Sequence, residues 1–169
     1  MLTAVKIAAQ SPSLDGQALL GRATALAQAI VEILIHDQPV PLNVGFVLAQ
    51  VPDGRDRFYQ HSGDRSLESL VEMLEQAGAT AIVIVSAAYI NIGATAGVDP
   101  KRDQPCLCLH LAEVGGIHAV DYVAIVPRDG GYTLGDPISV KAENRVGLPY
   151  RPPQLSQGTG RARPTDRLH

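Results

Sequence analysis

The residues of this sequence whose types and spacing could do chemistry are Cys106, Cys108 and His110, which alternate with leucines. Two thiolates and an imidazole are ligands that suit zinc. If the segment is a β-strand, the alternation puts all three side chains on one face, where His61 or His118 would serve as a fourth ligand. The same residues would serve a metal- or thiol-dependent enzyme. Because cysteine is among the most buried residue types, we prefer a structural interpretation with no cofactor.

The sequence leaves open whether residues 105–114 form a helix or a strand. Pro105 at a first helical position and apolar residues at three- and four-residue steps favour a short helix. The strict alternation of leucine with cysteine and histidine fits a strand equally well, with Gly115-Gly116 as a hairpin turn. We favour the helix, and the cysteine positions depend on this choice.

The remaining apolar periodicity predicts alternating helices and strands. Helices are predicted over 14–36 and 66–77, and strands over 42–51, 57–61, 79–86, 118–127 and 132–134. Residues 79–86 are apolar on both faces, which is typical of a central strand that is covered on each side. We therefore predict an α/β fold: a single layered domain with a mixed β-sheet of about five strands, flanked by two or three helices. The predicted order is α-β-β-α-β-(α or β)-β-β.

Composition divides the chain into a domain, residues 1–150, and a disordered tail, residues 151–169, rich in Pro, Gly and Arg. The chain has 169 residues, of which 46% are hydrophobic, which suits one domain with a proper core. Aromatic residues make up only 4%, so the stacking of bases or sugars is disfavoured. The tail holds four arginines and one aspartate, so residues 1–150 carry a net charge of −6 out of a total of −3. No apolar run approaches the ~20 residues that span a bilayer, and we expect a cytoplasmic protein without membrane contact.

Charged side chains supply the candidate partner-binding residues. Three glutamates follow one face of the second predicted helix, and three arginines lie in the tail: Glu68, Glu72, Glu75, Arg161, Arg163 and Arg167. A run of like charges is most often a solvated face, and here it is also a candidate for a basic partner. The tail is the basis of an alternative function, that of a nucleic-acid accessory protein with salt-sensitive binding.

Two segments resemble the JAB/RadC-type domain, the fold of the metal-dependent isopeptidases and their bacterial relatives. Residues 78–86, GATAIVIVS, resemble that family's central strand, and residues 119–134, AVDYVAIVPRDGGYTL, resemble its closing strand, turn and strand. With the element order, the likeness covers about residues 40–140. The resemblance implies a zinc site made of a His-x-His pair just after the central strand, an Asp about ten residues later and an upstream Glu.

The ligands implied by that resemblance are missing. The matching segment contains Ala88, Tyr89 and Asn91 but no histidine, and Asp99 or Asp103 alone would not bind zinc. The resemblance therefore implies a domain that has lost its hydrolase chemistry.

A second resemblance is to the cytidine-deaminase fold, whose Pro-Cys-x-x-Cys motif is similar to residues 105–108. The cysteine spacing is one residue short, and residues 64–68, DRSLE, lack the family's His/Cys-Ala-Glu motif.

These observations favour a non-catalytic α/β module that binds a protein partner or assembles with itself, and that is not an enzyme. The alternatives are the metal- or thiol-dependent hydrolase or deaminase and the nucleic-acid accessory protein.

Overall fold

A computed structural model of the protein describes residues 3–7, 9–34, 45–61, 64–90 and 104–156. The helices are α1 (Leu14–Leu34) and α2 (Asp64–Gln76). The strands are β1 (Thr3–Lys6), β2 (Gly45–Gln50), β3 (Asp56–Gln60), β4 (Ala81–Ile90), β5 (Gln104–Glu113), β6 (Ile117–Arg128), β7 (Gly131–Leu134), β8 (Ile138–Ser139) and β9 (Arg145–Leu148). Within these residues, β1 and β9 form a two-strand sheet, and the other strands form a seven-strand sheet that curls strongly into a half-barrel.

The prediction of a central strand covered on both sides is confirmed. Strand β4 lies between β2 and β5 in the sheet order β3-β2-β4-β5-β6-β7, with β8 also paired to β6. Val83 and Val85 belong to the core under α1. Ile82 and Ile84 belong to the core on the opposite face, under α2 and the two-strand sheet. The run is apolar throughout because both faces of this strand are buried.

Both long helices form where apolar spacing predicts them. Leu19, Ala23, Ala27 and Val31 follow one another at four-residue steps along α1, and all four are fully buried against the sheet. Helix α2 is followed by Gly78, whose φ of 79° is the left-handed conformation that glycine adopts without strain. The N–H of Ala79 then donates to the carbonyl of Leu74 at 3.0 Å, which closes the last turn.

The helix prediction for residues 105–114 is wrong, because this segment is strand β5. It pairs with β4 along its whole length and with β6 from Cys106 to Glu113. The two-residue period decides the conformation, because leucines meet the core under α1 while the alternate side chains face the other way. Turn glycines Gly115 and Gly116, with φ of 89° and 76°, close the β5–β6 hairpin as the strand alternative predicts.

The expected mixed sheet of about five strands is also wrong, because every pairing among the described strands is antiparallel. A strand-helix-strand order such as β3-α2-β4 suggests a parallel crossover. Here β4 is indeed parallel in direction to β3, but β2 lies between them and pairs with both. Strands β1, β8 and β9 were not predicted, because they are too short to show a period.

The end of the described chain packs against the domain. Val146, Leu148 and Tyr150 are buried in the core on the α2 side, and Leu155 joins the same cluster. Residues 157–169 lie outside the described residues, so the predicted tail and its boundary stay predictions.

Candidate functional site

The candidate ligands of β5 share one face of the strand, as the strand alternative requires. Cys106, Cys108 and His110 alternate with the leucines that face α1, and all three are buried. Cys108 belongs to the cluster covered by α2 and the two-strand sheet. The structure therefore brings the predicted residues into one row inside the protein.

His110 is the centre of a polar cluster in this core. Its Nδ1 lies 3.1 Å from the hydroxyl of Tyr150, and its Nε2 lies 2.9 Å from Nδ1 of His118. The three rings are stacked at angles of 25°, with centroids 5.1 Å apart for the histidines and 5.9 Å apart for His110 and Tyr150. Both imidazole nitrogens of His110 therefore have hydrogen-bond partners.

Two separate parts of the fold place His118 and Tyr150 beside His110. The β5–β6 hairpin sets Ala112 opposite His118, so that His118 lies diagonally across from His110 on the same face. Tyr150 follows β9, whose alternate residues Val146 and Leu148 are buried against the same core. Of these partners, the sequence indicated His118 as a candidate ligand and gave no signal for Tyr150.

The donors and acceptors of the cluster allow two consistent hydrogen-bond arrangements. If the Tyr150 hydroxyl donates to Nδ1 of His110, then Nε2–H of His110 donates to Nδ1 of His118. In the reversed arrangement, Nδ1–H of His118 donates to Nε2 of His110, and Nδ1–H of His110 donates to the Tyr150 hydroxyl. In both arrangements the imidazole of His110 carries a single proton and is neutral.

Burial keeps these groups uncharged. It lowers the pKa of His110 to about 3, with a smaller effect from the nearby His118, and it also lowers the pKa of His118. Burial raises the pKa of the Cys108 thiol to about 12, and neighbouring Cys106 and Asp121 act in the same direction. A thiol that stays un-ionised near pH 7 is a poor nucleophile, and both nitrogens of His110 are already engaged by Tyr150 and His118.

The zinc alternative receives no support from this geometry. Across the parts of the chain that the structure describes, no group of three or more His, Cys, Asp and Glu side chains is arranged to hold a metal ion. His61, the other candidate ligand, lies beyond β3, where its Nε2 is 3.1 Å from the carbonyl of Val85.

The candidate partner-binding glutamates differ from one another. Glu68 and Glu72 are exposed on α2. Glu75 accepts hydrogen bonds from the Arg151 guanidinium at 3.1 Å and from the main-chain N–H of Gln154 at 3.0 Å. Its carboxylate therefore holds the end of the described chain, a role that the charge pattern of the helix does not predict.

Several sequence predictions cannot be placed on this structure. The three tail arginines Arg161, Arg163 and Arg167 lie outside the described residues, as do Asn91, Asp99 and Asp103.

Outside the core, large apolar side chains remain in contact with solvent. On α1, Leu14 is 83% exposed and Ile33 is 74% exposed, although the opposite side of the helix is fully buried. On β3, Phe58 is 46% exposed, and its ring packs against Phe46 with centroids 5.3 Å apart. The Phe58 ring is thus an apolar side chain on an edge strand that solvent reaches.

The chain matches no family model, and comparisons with curated proteins and with solved structures gave no match. Among the described helices, none is long and apolar enough to cross a membrane.

Proposed function

We propose that the protein is a non-catalytic binding or assembly module, whose partner is a protein surface or a second copy of the chain. The observation that carries this proposal is a contrast within the structure. The side chains with reactive groups, Cys108 and His110, are buried and uncharged. Apolar side chains such as Ile33 and Phe58, in contrast, face solvent. A buried neutral site does not meet a substrate, and an exposed apolar side chain gains free energy when a partner covers it.

The JAB/RadC-like resemblance is part of the proposal as a statement of ancestry. On that view the module keeps the layered scaffold and has lost the metal. The supporting observation is in the sequence, where Ala88, Tyr89 and Asn91 occupy the segment in which the family carries its histidines.

Elemental analysis of the freshly purified full chain tests the proposal. We expect no stoichiometric metal, because the two nitrogens of His110 are engaged with Tyr150 and His118. One zinc per chain would overturn the proposal. A reaction with dithionitrobenzoate provides an independent measurement. We expect Cys106 and Cys108 to react only after unfolding in urea, and rapid reaction of either thiol in the native chain would also overturn it.

A further inference from the structure

Strand β3 is one edge of the seven-strand sheet, and nothing else among the described residues pairs with it besides β2. The N–H of His61 donates to the carbonyl of Gly45 at 3.2 Å. This hydrogen bond shows which residues near β3 direct their main-chain groups toward β2. Because main-chain groups alternate in direction along an antiparallel strand, those of Tyr59 and Arg57 also point toward β2. The main-chain N–H and C=O groups of Asp56, Phe58 and Gln60 therefore point away from the sheet.

The opposite edge of the sheet is protected by a side chain, whereas no side chain among the described residues binds the outward main-chain groups of β3. At β7 the side chain of Gln28, on α1, accepts a hydrogen bond from the N–H of Leu134 at 3.1 Å and donates one to the hydroxyl of Thr133 at 2.9 Å. A side chain thus accepts the hydrogen bond of an outward N–H at that edge, and covering an edge in this way is common in proteins. Strand β3 has no proline and no lysine, and it exposes Phe58.

The sequence of β3 is complementary to itself in antiparallel pairing. A two-fold axis at Phe58 sets the two phenylalanines opposite each other, as the hydrogen-bonded pair at the centre. The carboxylate of Asp56 then faces the amide of Gln60 in the other copy, and Arg57 faces the ring of Tyr59, an arrangement that favours cation–π contact. No like charges stand directly opposite each other in this register.

The charges of the strand are already neutralised within each copy. The guanidinium of Arg22, on α1, donates to the Asp56 carboxylate at 2.9 Å. The guanidinium of Arg57 donates to Asp53 at 2.9 Å. Self-pairing therefore does not bring two uncompensated charges together, which lowers the electrostatic cost of association.

We propose that the occupant of the β3 edge is a second copy of this chain, paired antiparallel through β3 about a two-fold axis at Phe58. This inference rests on the proposed function, because it names the partner of the binding module. The two sheets then form one continuous sheet with both α1 helices on the same side. A single short strand buries a small interface, so we expect a dissociation constant on the order of micromolar or weaker.

A charge-swap experiment on the full chain tests this pairing by sedimentation equilibrium. We expect the wild-type chain to form dimers with rising concentration. Phe58→Lys places two ammonium groups opposite each other at the axis, and Phe58→Glu places two carboxylates there. Each variant alone should remain monomeric, and an equimolar mixture of the two should recover dimers. Because position 58 lies on an exposed edge, circular dichroism should show both variants folded.

Met73→Glu is the matched control, because it changes an apolar residue on α2 that is about as exposed as Phe58 and leaves β3 intact. We expect its dimerisation to equal that of the wild type. The inference is overturned if the wild-type chain stays monomeric at every concentration, if Phe58→Lys still dimerises, or if the mixture fails to recover dimers. The metal analysis of the same preparation separates the two proposals. A monomer without zinc overturns only the β3 pairing, whereas stoichiometric zinc overturns the proposed function.

Discussion

The carboxylate of Glu113, at the end of β5, accepts hydrogen bonds from both the hydroxyl and the main-chain N–H of Ser13, the latter at 2.9 Å. The two residues are 100 positions apart in the sequence. The Ser13 oxygen also accepts a hydrogen bond from the N–H of Gly16 at 3.0 Å, so Ser13 caps the N-terminus of α1. The buried glutamate thus fastens the start of α1 to the sheet.

We expect Glu113→Ala to lower the free energy of unfolding by about 2–3 kcal/mol, because it removes charge-assisted hydrogen bonds to the capping residue. The free energies of unfolding of Glu113→Ala and of the wild type are measured by urea unfolding. Combined with Ser13→Ala in a double-mutant cycle, the two changes should not be additive, because each removes the same interaction. Additive losses would contradict a direct coupling between these residues.

Gly16→Ala should destabilise the protein although alanine is the better helix former. A Cβ at Gly16 would lie 2.4 Å from the Glu113 carboxyl carbon, so the carboxylate would have to leave Ser13. Gly21→Ala is the control on the same helix, because a Cβ there meets nothing within 4 Å. That variant should be more stable by up to about 1 kcal/mol. Thermal unfolding compares the two, and equal shifts for both would refute the steric argument.

The stability of the protein should fall in acid because of His110. Its pKa is about 3 in the folded chain and near 6.5 once exposed, so below pH 6.5 the unfolded chain takes up a proton that the folded chain does not. His110 thus contributes its full stabilisation above pH 6.5, and that contribution is lost as the pH falls toward 3. At pH 5 the loss is about 2 kcal/mol.

His110→Gln is the matched variant, because the amide can accept from Tyr150 and donate to His118 but does not titrate. The free energy of unfolding of this variant, measured by urea at several pH values, should depend less steeply on pH between 5 and 6.5. Parallel pH profiles for the variant and the wild type would show that His110 is not the group responsible.

Glu75→Ala should loosen the last described segment. The side chain binds both Arg151 and the N–H of Gln154, and only 18% of it is exposed. We expect a loss of about 1 kcal/mol in the free energy of unfolding and faster hydrogen exchange at the amide of Gln154. Glu72→Ala, one turn earlier on the exposed face of α2, should leave both measurements unchanged. An equal effect of the two variants would mean that charge alone, rather than these contacts, is responsible.

The elements with strong local signals could be predicted from the sequence. The four-residue apolar steps from Leu19 to Val31 determine α1, and Gly78 ends α2 because a positive φ is easiest for glycine. The continuous apolar run of β4 indicated a strand with two buried faces. Each of these signals is contained within one turn, one helix or one strand.

Only the tertiary structure decided the rest. Residues 105–114 fit a helix and a strand equally well, and their pairing with β4 and β6 selects the strand. The placement of β2 between β3 and β4 makes the sheet antiparallel. His110 meets Tyr150, and Glu113 meets Ser13, across 40 and 100 positions of the chain. Contacts at such separations leave no period or spacing in the sequence, because they depend on how distant segments pack rather than on local conformational preference.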